Sequence, residues 1–405
     1  MAISITKALE IIYEHTPRVG FELLPIEMTV GRILHEDAVA SFNLPRFDNS
    51  AMDGYAVKCA DAGKRVLCTE VIYAGDDPKM TLQEGHAIKI MTGAPLPNGC
   101  EAIVPVEMVT PNQAHITLPK EIHTAAHMRF AGEDVRCGEV YLHKGEKVTA
   151  YSIALLASQG VTHIYVTRNL KVAVFGTGDE LRPHFEKIAA HQLYNSNTPM
   201  FLARAQALGC EVSYIGSCSD TLDSLTDSIK MALDADIIIT SGGISMGDKD
   251  FTKDAFIALG MQLHFDKVDI KPGKPTSFGT LGKTVVINLP GNPLASMVNF
   301  ELFVRAVIRK MCGMNAYRHA ALMTPIKEDL TLQEGKYSVR LGRFDGESFM
   351  PFTKQLPGMI SPLRDANALI ITAPQSKNLK KGDSVKILPI NWEFTSQQEE
   401  DFFTY

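Results

Sequence analysis

Residues 171–180 read K-V-A-V-F-G-T-G-D-E, an apolar run of strand length that breaks into a polar, glycine-rich turn. Three more apolar runs follow, at 211–215, 236–240 and 284–289. Apolar residues at helical spacing fill the gaps at 199–208 and 222–233, and a further helical stretch at 254–259 follows the third run. Nearly continuous apolar strands alternating with helices predict a parallel sheet covered on both faces. A long amphipathic helix over 293–311 closes the unit, with Asn292 as N-cap and Pro293 at N1.

Outward from this unit the pattern changes. Residues 5–15 place Ala8, Leu9, Ile11 and Ile12 at helical spacing. From about 25 to 165, short alternating runs such as 87–91, 102–107 and 115–118 are separated by Gly and Pro signals, and a helix at 151–159 leads out. From 322 to 390 the chain returns to short strands, with Gly335, Gly342, Gly346 and Gly382 as turns, which predicts a small β-barrel or sandwich. The expected class is an α/β multidomain chain: an N-terminal helix and linking domain (1–47 plus 140–169), a β-rich insertion domain (48–139), a central parallel α/β domain (170–318), a C-terminal β domain (319–397) and an acidic tail (398–405).

With 405 residues, 45% hydrophobic and 21% charged, the composition is that of an ordinary globular protein with more than one domain. A net charge of −6 argues against sequence-independent nucleic-acid binding, so an anionic ligand has to be met by local cations and backbone amides. The seven cysteines form no C-x-x-C and no zinc spacing, which reads as reduced thiols. With no apolar run of membrane-spanning length and no signal peptide, the cytoplasm is the expected location.

In an open parallel sheet, ligands bind beyond the carboxyl ends of the strands. Here those ends run into Gly176-Thr177-Gly178-Asp179-Glu180, into S-G-G-I-S-M-G-D-K-D at 241–250, and into Pro290-Gly291-Asn292-Pro293. The tract D-I-K-P-G-K-P at 269–275 precedes the last strand. Ser241-Gly242-Gly243 either exposes consecutive backbone N–H groups to a phosphate or pterin or is a plain tight turn, with no Walker signature anywhere in the chain. Lys271 and Lys274 present two ammonium groups suited to a compact oxyanion, or form a solvated basic turn. Asp179, Glu180, Asp248 and Asp250 are hard oxygen donors of the kind Mg²⁺ selects, and each serves equally as an N-cap or a solvated carboxylate. His184, His191 and His264 are isolated and read as surface or core residues.

A second polar density, P-R-F-D-N-S-A-M-D-G-Y-A-V at 45–57, fits neither a helical nor a strand period. Asp48, Asn49, Ser50 and Asp53 within six residues either present ligands to a metal or substrate, or form an Asx-rich turn before the strand at 54–57.

Seven motifs in order, D-N-S-A-M-D-G-Y-A-V (48–57), I-M-T-G-A-P (90–95), G-E-D-V (132–135), T-G-D-E-L (177–181), S-G-G-I-S-M-G-D-K-D (241–250), K-P-G-K-P (271–275) and L-P-G-N-P (289–293), resemble the molybdopterin molybdenumtransferases, the family of the gephyrin E-domain. The resemblance implies an elongated, four-part homodimer that inserts molybdate into adenylylated molybdopterin in a Mg²⁺-dependent step, releasing AMP. It implies that Thr177, Gly178, Ser241, Gly242, Gly243, Ser245 and Pro290, Gly291, Asn292, Pro293 hold the pterin or nucleotide, with Asn49, Ser50, Thr92 and Arg129 contributing. Lys271 and Lys274 would face molybdate or the pterin phosphate, and Asp53, Asp134 and Asp250 complete the catalytic set. Asp179, Glu180, Asp220 and Asp250 are the candidates for Mg²⁺. The loop around Asp53 would complete the active site of the partner subunit. Transient contacts with the adenylyltransferase and with apo-molybdoenzymes are implied, and neither nucleic acid nor membrane. The chain departs from the usual family pattern at Phe130-Ala131, Thr198, Ala295 and Pro357, and tungstate satisfies the same site chemistry as molybdate. The other readings are a molybdopterin adenylyltransferase, against which the added β domains count, and a non-catalytic scaffold of the same fold.

Overall fold

The computed structural model describes residues 2–219, 221–243, 251–332 and 335–391. Asp220, Ser245, Asp248, Asp250 and the expected acidic tail lie outside the described residues.

Helix α1 (Ile5–His15) starts where Ser4 accepts a hydrogen bond from the Lys7 amide. Its spacing of Ile5, Ala8 and Ile12 buries one stripe in the core of the α/β domain. The chain then builds the linking domain, an antiparallel pair of Phe21–Pro25 with His163–Thr167 backed by α2 (Ala150–Ser158). A second pair, Ala38–Val39 with Val140–Leu142, marks where the insertion leaves and returns. The insertion is a six-stranded, mostly antiparallel sheet with Gly54–Val57 second from one edge, between Ala102–Pro105 and His86–Ile90. All four residues of that strand are buried; Tyr55 and Val57 face one small core and Ala56 the other.

The strands of the α/β sheet are numbered β1 (Lys171–Thr177), β2 (Glu211–Cys218), β3 (Ile237–Ser241), β4 (Gln262–Phe265), β5 (Ser277–Leu281) and β6 (Thr284–Leu289). Their order is β2-β1-β3-β6-β5-β4, parallel from β2 to β6 and antiparallel from β6 to β4. Both faces are covered, as the apolar runs require. Val172, Val174, Ile237 and Ile239 pack on the side of α1, α3 (Asn197–Ala207), α6 (Pro293–Asn299) and α7 (Arg305–Met311). Ala173, Phe175 and Ile238 face α4 (Leu222–Met231) and α5 (Thr252–Ala258).

Two expectations change here. The single helix over 293–311 is interrupted, because Phe300–Val304 between α6 and α7 takes a π-helical turn around the buried Glu301. Strands β4 and β5 are additions to the predicted set; S-F-G-T-L is short and carries a mid-strand glycine, which hides its strand character. Gly279 belongs there because a Cβ would stand 2.8 Å from the Gln262 carbonyl oxygen.

The C-terminal domain is a five-stranded antiparallel sheet whose edges meet at a bridge between Ile326 and Phe349, so of the two expected forms it is a barrel. Among the described residues no helix is long and apolar enough to cross a membrane, and all seven cysteines are free thiols.

Candidate active site

The chain runs outward from β1 to β2 on one side and to β3 on the other, which makes the carboxyl ends of β1 and β3 a topological switch point. Thr177 and Ser241 end these strands, and Gly176 pairs with Ser241 across them. Gly242 and Gly243 follow at φ +94° and +62°, the left-handed region that favours glycine. A Cβ on Gly242 would lie 2.5 Å from the Thr177 carbonyl oxygen, and one on Gly243 would lie 2.2 Å from Thr252 Oγ1. The buried hydroxyls of Thr177 and Thr252 have no hydrogen-bond partner among the described residues. Bare backbone beside two unpaired hydroxyls is a cradle for a polar ligand.

Asn197 ties this cradle to the next loop. Its Nδ2 donates to Ser241 Oγ at 2.8 Å and to the Gly291 carbonyl at 2.7 Å. Thr198 is buried one place on, where its Oγ1 accepts from Asn195. Gly178 reaches φ +146° beside the Glu180 carboxylate. Asp179 and Glu180 lie exposed at the rim. No group of three or more acids, histidines or cysteines among the described residues is placed to hold a metal ion.

The K-P-G-K-P turn reaches the same edge by a route the strand pattern hides. Strand β5 is antiparallel to β6, with Ser277 opposite Asn288, so the loop entering β5 stands beside the loop leaving β6. Between them is a cavity of about 270 Å³. Lys271 and Lys274 line it from the turn, Asn292 and Ala295 from the start of α6, and Lys336 and Pro357 from the barrel. Asp269 is the one acid among the described lining residues, against three lysines, so the cavity favours an anion. Asn292 occupies the N-cap position of α6, but its side chain makes no capping bond. Ser296 turns its hydroxyl to the Pro293 carbonyl, leaving Ala295 to line the cavity. The barrel is docked here by backbone bonds from Lys271 N to the Tyr337 carbonyl (2.9 Å) and from Leu294 N to the Pro357 carbonyl (3.0 Å).

In the insertion, Asn49 and Ser50 pair with Arg129 and Met128. Asn49 Nδ2 donates to the Phe47 carbonyl and Ser50 Oγ to the Met52 carbonyl, bonds made within the turn itself. Asp53 differs. Its Oδ1 accepts from the Thr92 amide and the Thr92 hydroxyl, each at 2.7 Å, and these bonds lower its pKa. Oδ1 is thereby committed, while the exposed carboxylate offers Oδ2. The side-chain bonds of Asn49 and Ser50 are thus local to the turn, whereas Asp53 keeps one carboxylate oxygen outside its bonds to Thr92. Arg129 and Asp134 are exposed nearby, and the Asp134 amide binds the Leu44 carbonyl. His264, expected to be structural, stacks on His15 with ring centroids 3.9 Å apart and bonds to Thr280.

Three family models match in chain order: the MoeA N-terminal region (domain I and II) at 3–160, a probable molybdopterin binding domain at 173–310, and the MoeA C-terminal region (domain IV) at 325–390. The molybdopterin molybdenumtransferase of Haemophilus influenzae is 33% identical over 383 residues, covering 91% of this chain and 94% of its own. That of Staphylococcus epidermidis is 30% identical over 400 residues, covering 95% of each. The chain belongs to the molybdopterin molybdenumtransferase family. The crystal structure of the molybdopterin biosynthesis moeA protein from Pyrococcus horikoshii OT3 superposes with a TM-score of 0.85 at 26% identity, covering 96% of this chain and all of that one. The expected family and multidomain α/β architecture are thus borne out, and the chain is an enzyme of molybdenum cofactor biosynthesis that inserts molybdate. In this molybdopterin molybdenumtransferase two residues that motif reading passed over stand at the candidate site. Asn197 stands inside the Y-N-S-N run, while Lys336 comes from another domain and carries no local signal.

Proposed function

We propose that adenylylated molybdopterin binds along the carboxyl edge of the sheet and that molybdate enters the lysine-lined cavity beside it. The convergence of Lys271, Lys274 and Lys336 on one cavity carries this reading. Molybdate is a tetrahedral dianion, and preorganised ammonium groups offset its charge at no reorganisation cost during reaction. The P-G-N-P loop serves both halves: Gly291 is bonded to the pterin-side cradle through Asn197, and Pro290 and Asn292 line the cavity.

Mg²⁺ is held by one or two carboxylates together with substrate phosphates. Asp53, Asp179 and Glu180 fit that demand, Asp53 through its uncommitted Oδ2. Bound there, Mg²⁺ would supply positive charge against the phosphoanhydride. Asp134, Asp220 and Asp250 are assigned to the same acidic set. The enzyme acts as a cytoplasmic homodimer, with the Asp53 loop serving the partner's cavity. It meets the adenylyltransferase and apo-molybdoenzymes transiently.

The test is to incubate the protein with adenylylated molybdopterin and Mg²⁺, with and without molybdate, and to follow AMP release and reconstitution of an apo-molybdoenzyme. We expect AMP release that requires both molybdate and Mg²⁺ and falls at least 100-fold in Asp53→Ala and Lys274→Met, a loss of roughly 3 kcal/mol in transition-state stabilisation. Formation of adenylylated molybdopterin from ATP and molybdopterin, without molybdate, would make it an adenylyltransferase instead.

A further inference from the structure

We infer that Asn299 is a positioning residue of the molybdate site, acting through the backbone of the turn that carries Lys271 and Lys274. The inference rests on the molybdate reading of the lysine-lined cavity. Asn299 is wholly buried at the last turn of α6, the helix whose first residues wall the cavity. Its Nδ2 donates to the Gly273 carbonyl at 2.8 Å and to Thr276 Oγ1 at 2.6 Å, which uses both protons of the amide. Because the Gly273 carbonyl only accepts, the orientation of the amide is fixed. Thr276 Oγ1 passes a hydrogen bond to the same Gly273 carbonyl at 3.0 Å, and the Thr276 amide binds the Lys274 carbonyl at 3.0 Å. Asn299 Nδ2, the Gly273 carbonyl and Thr276 Oγ1 thus close a three-membered ring of hydrogen bonds on the turn between the two lysines.

Nothing separates Asn299 from the turn. A Cβ on Gly273 would stand 2.3 Å from Asn299 Nδ2, and Gly273 sits at φ +107°. From the opposite side the barrel grips Lys271, whose carbonyl accepts from the Val339 amide at 2.8 Å. The turn is therefore held from both domains: the barrel binds the amide and the carbonyl of Lys271, the Val268 amide binds the Lys274 carbonyl at 3.0 Å, and Asn299 is the side chain that holds Gly273 from the α/β side. The Asn299 Oδ1 is buried with no partner among the described residues, a loss of stability that a side chain kept only for packing would avoid. Fixing the backbone under two long, flexible ammonium chains narrows the volume they sample, which is what binding a small anion demands.

The experiment is calorimetric titration of the full chain with molybdate, beside thermal unfolding, for wild type, Asn299→Ala, Asn299→Asp, Lys274→Met and the Asn299→Ala/Lys274→Met pair. We expect each Asn299 variant to unfold near the wild-type temperature and to bind molybdate about tenfold more weakly, the scale of losing an outer-shell partner of a bound ion. The double variant should bind no more weakly than Lys274→Met alone, because the group that Asn299 positions has been removed. Wild-type affinity in both Asn299 variants beside a weakened Lys274→Met overturns the inference and leaves the molybdate reading standing. Additive losses in the double variant, or failure of both Asn299 variants to fold, make Asn299 an ordinary core residue and also overturn it. Wild-type affinity in Lys274→Met removes the molybdate reading, and the inference with it.

Discussion

His319 sits where the barrel meets the helical core, its Nε2 donating to the Leu302 carbonyl at 2.7 Å and its Nδ1 facing Arg305. Burial first, then the neighbouring cations, lower its pKa from 6.5 to about 4. The folded chain therefore keeps this ring neutral while the unfolded chain takes up a proton, so stability falls as pH drops from about 6.5 toward 4. The loss attributable to this group is at most about 3 kcal/mol. Melting temperatures from pH 7 to 4.5 should drop less in His319→Gln than in wild type; parallel curves would remove the residue from the acid response. At this scale, legibility depends on whether a residue's role is local. Gly242 and Gly243 are readable because a nest needs left-handed backbone wherever it occurs. The separation of Asp53 from Asn49 and Ser50 is not, because it turns on the Thr92 bonds, supplied 39 residues away.

The interrupted helix holds the two large domains together. Glu301, buried in its π-helical turn, takes Arg204 Nε at 2.6 Å and Arg305 Nη1 at 2.9 Å. The same guanidiniums donate onward to the Ile390 and Pro389 carbonyls at the end of the last barrel strand. Burial already pulls Arg305 down to about 10, so it depends on its carboxylate partner. Glu301→Ala should destabilise the fold by about 3–5 kcal/mol, by leaving two guanidiniums uncompensated. Thermal unfolding should show that loss, and limited proteolysis should release the barrel first. A change of less than a few degrees would show that solvent or backbone satisfies both arginines. Helical periodicity marked this segment and could not mark its π turn, since all five residues of the turn are buried and leave no polar side on which a shift would show. Strands β1, β2, β3 and β6 were readable as apolar runs; β5 was not, and its antiparallel course is what delivers the lysine turn to the ligand edge.

Across the whole molecule, the parallel core, the β insertion and the C-terminal β domain are all visible in composition and turn spacing, and seven ordered motifs fix the family. What the chain order conceals is assembly. Lys336 reaches the cavity only because the barrel docks on the K-P-G-K-P turn, and no pattern near position 336 announces it. The acidic loop of the insertion is built by bonds within its own domain, and the lysine-lined cavity by bonds between the α/β domain and the barrel. We propose that the two meet across a dimer, one half from each subunit. The most direct test is to mix inactive Asp53→Ala and Lys274→Met proteins, allow the subunits to exchange, and measure molybdenum insertion. Random pairing makes half the dimers mixed, and each mixed dimer then holds one intact site of two, so activity should return to about a quarter of wild type. Activity that stays at the level of the separate variants after verified exchange would mean that Asp53 and Lys274 serve the same subunit's site, and would contradict the shared site.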